Sequence, residues 1–221
     1  ELDSVLEDNR QEDFLKLSRE MENLADIYFV RQKHPVGFAD AVMYAKPFTG
    51  DEPFAILLGD DIIYTQAGMR PGIRQLADEF EKSGKTTVAL MNVADADISK
   101  YANVKASALS ERLFEIEKIV EKPKIEDKFS NDAVIGRYVV DAGIYDVISH
   151  TPPSPKGEVY FTDALGLLAA QGLLHGYRFE GIRYDAGNKL DYLKANIEFA
   201  LRDTALQKGL ADYIKELAGK L

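Results

Sequence analysis

The chain has 221 residues, 46% of them hydrophobic, enough to bury the core of one large α/β domain; its 27 basic and 37 acidic residues leave a net charge of −10, and with no long Lys/Arg cluster nucleic acid is not an expected partner. The absence of cysteine and the presence of only three scattered histidines exclude disulfides, thiolate nucleophiles and Cys- or His-rich zinc sites, so carboxylates and lysines must carry any chemistry. No stretch approaches the roughly 18–20 apolar residues that span a bilayer, and the charged N-terminus lacks a signal-peptide layout, so the expected setting is cytoplasmic, without a membrane partner.

In chain order, Phe14, Leu17, Met21 and Leu24 repeat at helical spacing over 10–25, and Ile27-Tyr28-Phe29-Val30 follows as a strand-like run. A loop from Gln32 to Gly37 leads into a helix over 39–45, and the stretch from Pro47 to Pro53 punctuates the entry into the apolar run that ends at Leu58. That run does not alternate with polar residues, which is the pattern of a strand buried on both faces; it ends in Gly59-Asp60-Asp61. A helix over 70–83, capped by Gly84, precedes a strand over 86–91. Strands follow over 112–120 and 134–140, then a helix over 142–149, a proline-rich loop at 151–155 and a helix over 162–171. From 189 to 221 a helical extension carries Leu206, Leu210, Ile214, Leu217 and Leu221 on one stripe, expected to pack on the chain's own core. The alternation of helix and strand predicts a parallel, helix-covered sheet and a single domain over 1–221.

Open α/β sheets place ligands at the carboxyl ends of their strands, so Gly59-Asp60-Asp61 reads either as a polar turn or as a magnesium site. Magnesium takes one or two protein carboxylates and fills its shell with waters and substrate phosphates, so a second acid from a distant strand end would strengthen the magnesium reading. Asp185, in Tyr184-Asp185-Ala186-Gly187-Asn188-Lys189, is that second acid, or else a turn aspartate before a helix. In the loop after Val30, Gln32 offers an amide to a base edge and Gly37 a close backbone approach, while His34 has no second imidazole at ligand spacing and is read as non-catalytic. Glu121-Lys122-Pro123 follows a strand and puts an acceptor beside a cation, suited to sugar hydroxyls and a phosphate, or to a solvated surface pair.

Taken in order, Phe29-Val30-Arg31-Gln32, Pro35-Val36-Gly37-Phe38-Ala39-Asp40-Ala41-Val42, Leu58-Gly59-Asp60, Val120-Glu121-Lys122-Pro123, Val134-Ile135-Gly136-Arg137-Tyr138, Glu158 with Thr162-Asp163-Ala164, and Asp185-Ala186-Gly187-Asn188-Lys189-Leu190 resemble the sugar nucleotidyltransferases, and among them the bacterial and archaeal UTP–glucose-1-phosphate uridylyltransferases. The resemblance covers nearly the whole chain. It implies a Rossmann-like mixed, mostly parallel α/β sheet and Mg²⁺-dependent transfer from UTP to glucose 1-phosphate, giving UDP-glucose and pyrophosphate by in-line attack without a covalent intermediate. It also implies roles. Gln32, Pro35, Gly37 and Gly59 would serve the nucleotide and Asp60 and Asp185 the magnesium. Glu121, Gly136 and Glu158 would serve the sugar, and Lys122 its phosphate. A homodimer or homotetramer is the implied assembly. Transfer from dTTP and a non-catalytic, sugar-nucleotide-binding role are the alternatives.

Two departures stand out. The family's Tyr-Gly-Val-Val is here Tyr101-Ala102-Asn103-Val104, so a methyl sits where the sugar meets a glycine. The family's opening strand and glycine-rich loop, which cradle the triphosphate, have no counterpart in these residues, and Glu1 aligns well inside the usual chain. The expectation is therefore an N-terminally incomplete domain that lacks the first strand and loop.

Overall fold

The computed structural model describes residues 2–9, 11–34, 36–155 and 157–220, and divides the chain into two compact units, Glu1–Pro35 and Val36–Leu221. The first unit holds helices α1 (Leu2–Asp8) and α2 (Glu12–Glu22), with Arg19 paired to Glu7. Ile27–Val30, expected as a strand, is irregular instead, and Phe29 stands 94% exposed. Aromatic and β-branched residues favour strands only where a pleated, half-buried surface receives them, and this segment is exposed along its length.

The second unit runs α3 (Phe38–Met43), α4 (Lys46–Thr49), β1 (Phe54–Leu57), β2 (Asp61–Tyr64), α5 (Gly72–Ser83), β3 (Thr86–Asn92), β4 (Ala102–Ala108), β5 (Leu113–Val120), β6 (Asp132–Val140), α6 (Ile144–His150), α7 (Phe161–Ala170), β7 (Leu174–Arg178), β8 (Ile182–Asp185), α8 (Lys189–Arg202) and α9 (Gln207–Ala218). Six strands form one sheet in the order β1-β6-β3-β7-β5-β4, with β6 reaching β4 as well; β2 and β8 form a separate two-stranded ladder. The mixed α/β architecture is the expected one. Only β3 and β7 pair in parallel, however, so parallel neighbours are fewer than the helix–strand rhythm suggests.

β6 is buried along its whole length and anchors the sheet. Alternate residues of the central strands feed opposite layers: Val88, Leu90 and Tyr138 pack with α6 and α7, while Ala89, Ile135 and Val139 pack with Leu76 of α5. β1 departs from the expected doubly buried strand. It pairs with β6 alone, placing Phe54 and Ile56 against the core and leaving Ala55 and Leu57 exposed, because only one of its faces has a covering layer. The expected C-terminal helical extension is formed by two helices, α8 and α9, separated between Arg202 and Gln207. On α9 the predicted stripe is only partly covered: Leu210 and Ile214 are half-buried, whereas Leu206 and Leu217 are exposed, and Leu221 lies outside the described residues. Among the described residues no helix is long and apolar enough to cross a membrane.

Candidate active site

A cleft of about 400 Å³ opens in the second unit where the β1–β2 turn, the ends of β5 and β8, and the start of α7 meet. Its two acidic walls come from distant segments. Asp60 lies in the turn after β1, and Asp185 closes β8 just before α8, whose N-terminus Asn188 caps by accepting the Leu190 and Asp191 N–H groups. The Ala186 N–H donates to the Asp60 carbonyl at 2.7 Å, tying the two turns together. A Cβ placed on Gly187 would lie 3.1 Å from Asp60 Oδ2 and 3.2 Å from Asp185 Oδ1, so both carboxylates face the one small space that glycine leaves open.

This donor set fits magnesium, which takes one or two carboxylates and completes its shell with waters and phosphate oxygens. Among the described residues no group of three or more acidic, histidine or cysteine side chains converges as an all-protein cage. The predicted pair Asp60 and Asp185 is thus brought together.

Asp61 belongs to a different arrangement. It is buried, its Oδ2 accepts the Gly136 N–H at 2.6 Å, and its Oδ1 pairs with the Arg183 guanidinium. Arg137 donates to the carbonyls of Leu58 (3.0 Å), Gly136 (2.7 Å) and Asp61, pinning the turn that presents Asp60. Gly136 serves this packing: an added Cβ would fall 2.6 Å from Leu58 Cβ, so only glycine lets the turn lie on β6. Burial opposes the Arg183 charge, but Asp61 and the Tyr101 hydroxyl outweigh it and hold its pKa above the ordinary arginine value. For Arg137 burial wins, with Arg183 adding to it against Asp61, and its pKa falls below the ordinary value.

Across the cleft, Glu121 accepts the Thr162 hydroxyl at 2.6 Å, and Lys122 Nζ lies 3.5 Å from the other Glu121 oxygen. Lys122 is the only non-glycine among the described residues with positive φ, at 44°, while its N–H donates to the Tyr101 carbonyl at 3.1 Å. A lysine held in the left-handed region marks a position that its surroundings over-determine. Ala102, at the start of β4, and Glu158 also line the cleft. Gly37, at φ 115°, lies against Glu158, whose Cγ would sit 2.6 Å from an added Cβ. Tyr138 stands in the apolar floor, edge-on to Phe161, and burial, with Glu121 and Asp61 adding to it, pushes its hydroxyl pKa up.

Gly59 is an exposed turn residue outside the cleft lining. Gln32 is half-buried in the first unit, and Pro35 lies outside the described residues. Sequence reasoning missed Arg183, and it quoted Tyr101 and Thr162 as motif residues without giving them a role. Arg183 stands two residues before Asp185, the spacing at which residues of one strand share a face, but the four-residue strand that gives this spacing its meaning carries no period of its own.

Residues 3–201 match the nucleotidyl transferase family, and the chain belongs to it. Within that family it is similar to UTP–glucose-1-phosphate uridylyltransferases and, among solved structures, to a glucose-1-phosphate thymidylyltransferase as well. It is 36% identical over 217 residues to UTP–glucose-1-phosphate uridylyltransferase 1 of Staphylococcus saprophyticus, spanning 98% of this chain and 75% of the relative. Among solved structures it is similar to a UTP-bound UDP-glucose pyrophosphorylase from Acinetobacter baumannii, with a TM-score of 0.87, 29% identity, and coverage of 98% of this chain and 75% of that one. It is also similar to a UDP-glucose pyrophosphorylase complexed with UDP-glucose, with a TM-score of 0.81, 33% identity, and coverage of 88% and 73%.

Proposed function

We propose that the protein transfers a uridylyl group from UTP to glucose 1-phosphate, releasing UDP-glucose and pyrophosphate. The observation that carries this reading is the convergence of Asp60 and Asp185 beside Gly187 in the cleft that also holds Glu121 and Lys122. The activity of the similar relatives supports it.

In this reading an oxygen of the sugar phosphate attacks the α-phosphorus of UTP in line. One P–O bond forms, the bond to the β-phosphate oxygen breaks, and pyrophosphate leaves with that electron pair, with no covalent enzyme intermediate. Such transfer needs mainly positioning and charge stabilisation, which suits a chain without cysteine. Mg²⁺ held by Asp60 and Asp185 would supply neutralisation of the phosphate charge. Lys122 contacts the sugar phosphate, and Glu121, oriented by Thr162, accepts hydrogen bonds from the glucose hydroxyls. Gly37 serves the uracil.

The test is incubation of the full-length protein with UTP, glucose 1-phosphate and Mg²⁺, with nucleotide products separated by chromatography. UDP-glucose and pyrophosphate in equal amounts are expected. No UDP-glucose above background would sink the reading, and UDP-glucose binding without turnover would replace it with a sugar-nucleotide-binding role. Competition between UTP and dTTP at equal concentration decides the base.

A further inference from the structure

Three charged side chains of the cleft share one face of the β2–β8 ladder. Asp61 and Asp185 are register partners, and Arg183, two residues before Asp185, projects to the same side. The Arg183 guanidinium donates to Asp61 Oδ1, donates through Nη1 to the Tyr101 hydroxyl at 2.8 Å, and lies 3.4 Å from Asp185 Oδ2. Its anchor is firm. The side chains of Arg183 and Asp61 are 9% and 4% exposed, and Asp61 is itself held by the Gly136 N–H. The other Asp185 oxygen, Oδ1, accepts the Gly187 N–H at 3.0 Å and faces the space shared with Asp60.

We propose that Arg183 is a positioning residue for the cation site: fixed by Asp61 and Tyr101, it holds the Asp185 carboxylate turned toward Asp60. The proposal rests on the reading of Asp60 and Asp185 as cation ligands. Two effects compete at this point. The guanidinium charge repels a cation on Asp185, whereas a fixed carboxylate binds one better. Arg183 is in direct contact with Asp61 and farther from Asp185, so Asp61 neutralises most of its charge and orientation wins. Outer partners that orient metal ligands commonly change metal affinity by about 10–100-fold.

Two variants separate orientation from charge. Asp61→Asn combined with Arg183→Gln removes one charge of each sign, while Arg183→Lys keeps the charge and loses the planar fork. Mn²⁺ titration of the protein alone, followed by electron paramagnetic resonance, gives a readout independent of turnover, with circular dichroism to confirm folding. Wild type is expected to bind Mn²⁺, Asp60→Asn to weaken binding, and each Arg183 variant to bind about tenfold more weakly. The Mg²⁺ concentration for half-maximal turnover should rise by the same factor while the KM for glucose 1-phosphate stays unchanged. A merely structural Arg183 would lower the melting temperature and leave the Mn²⁺ affinity of the folded protein at its wild-type value, and that result overturns the proposal. Tyr101→Phe removes one anchor without touching charge and should give a smaller loss in the same direction; unchanged affinity in all three overturns it equally. Mn²⁺ binding that is absent from wild type, or indifferent to Asp60→Asn, overturns the ligand reading itself.

Discussion

Asp60 and Asp61 are consecutive in the chain yet differ in burial: Asp61 is buried against Gly136 and Arg183, while Asp60 is exposed beside Gly187. Their replacement should therefore separate stability from activity. Asp61→Ala leaves the buried Arg183 charge without its main partner and should destabilise by about 3–5 kcal/mol. Asp60→Asn removes an exposed carboxylate and should stay within about 0.5 kcal/mol of wild type while turnover collapses. Urea unfolding and the UDP-glucose assay, run on both variants, check the contrast. Equal loss of stability in the two would refute it.

Gly187→Ala tests the carboxylate pair from the other side. The new methyl would stand about 3 Å from one oxygen of each acid, in the space assigned to the cation. Gly187 lacks a positive φ, so the backbone accepts alanine without strain. The expected outcome is an unchanged melting temperature and about a tenfold rise in the Mg²⁺ needed for half-maximal activity, the scale on which disturbed ligand geometry acts. Unchanged Mg²⁺ dependence would place the cation elsewhere.

Much of this arrangement was legible in the sequence. The helices at 72–83 and 161–170 and the strands at 86–92, 113–120 and 132–140 follow from apolar periodicity and flanking glycines, within a few residues at their ends. The strands β2, β4, β7 and β8 were not, and for the short ones the reason is physical. Runs such as Ile182–Asp185 are too short and mixed to carry a period, and the pairing of β8 with β2, about 120 positions away, is decided by tertiary packing. Ile27–Val30 shows the reverse error, in which strand-forming residues lie in an irregular segment. At the site, the acids stood out by residue type, but which of two neighbouring aspartates is buried in partners and which is left exposed depends on Gly136 and Arg183, and no local pattern encodes that.

Gly37→Ala should be costly for two separable reasons. At φ 115° an L side chain is strained, a cost of about 1–3 kcal/mol, and the new Cβ would also overlap the Glu158 side chain. Adding Glu158→Ala removes the overlap and leaves the strain. The double variant should therefore recover part, and only part, of the lost urea midpoint. Full recovery would show that the backbone conformation is not what demands glycine, and no loss in the single variant would show that neither factor matters.

His175 on β7 makes stability depend on pH. It is 4% exposed, and neither ring nitrogen has a hydrogen-bond partner among the described residues. Burial, reinforced by Lys85, lowers its pKa, against a weaker upward pull from Glu115 and Glu79. A folded-state pKa below the unfolded value of about 6.5 means that the unfolded chain binds a proton the folded chain refuses. Stability contributed by the neutral imidazole is present above about pH 6.5 and is lost as pH falls from there through the folded pKa. His175→Leu removes both the titration and the two unpartnered nitrogens, whose burial costs on the order of 1–3 kcal/mol. The variant should be at least as stable as wild type at pH 7.5, and its advantage should widen toward pH 5.5. Urea midpoints at pH 5.5, 6.5 and 7.5 for both proteins measure this, and parallel pH profiles would show that His175 finds a partner which keeps its pKa ordinary.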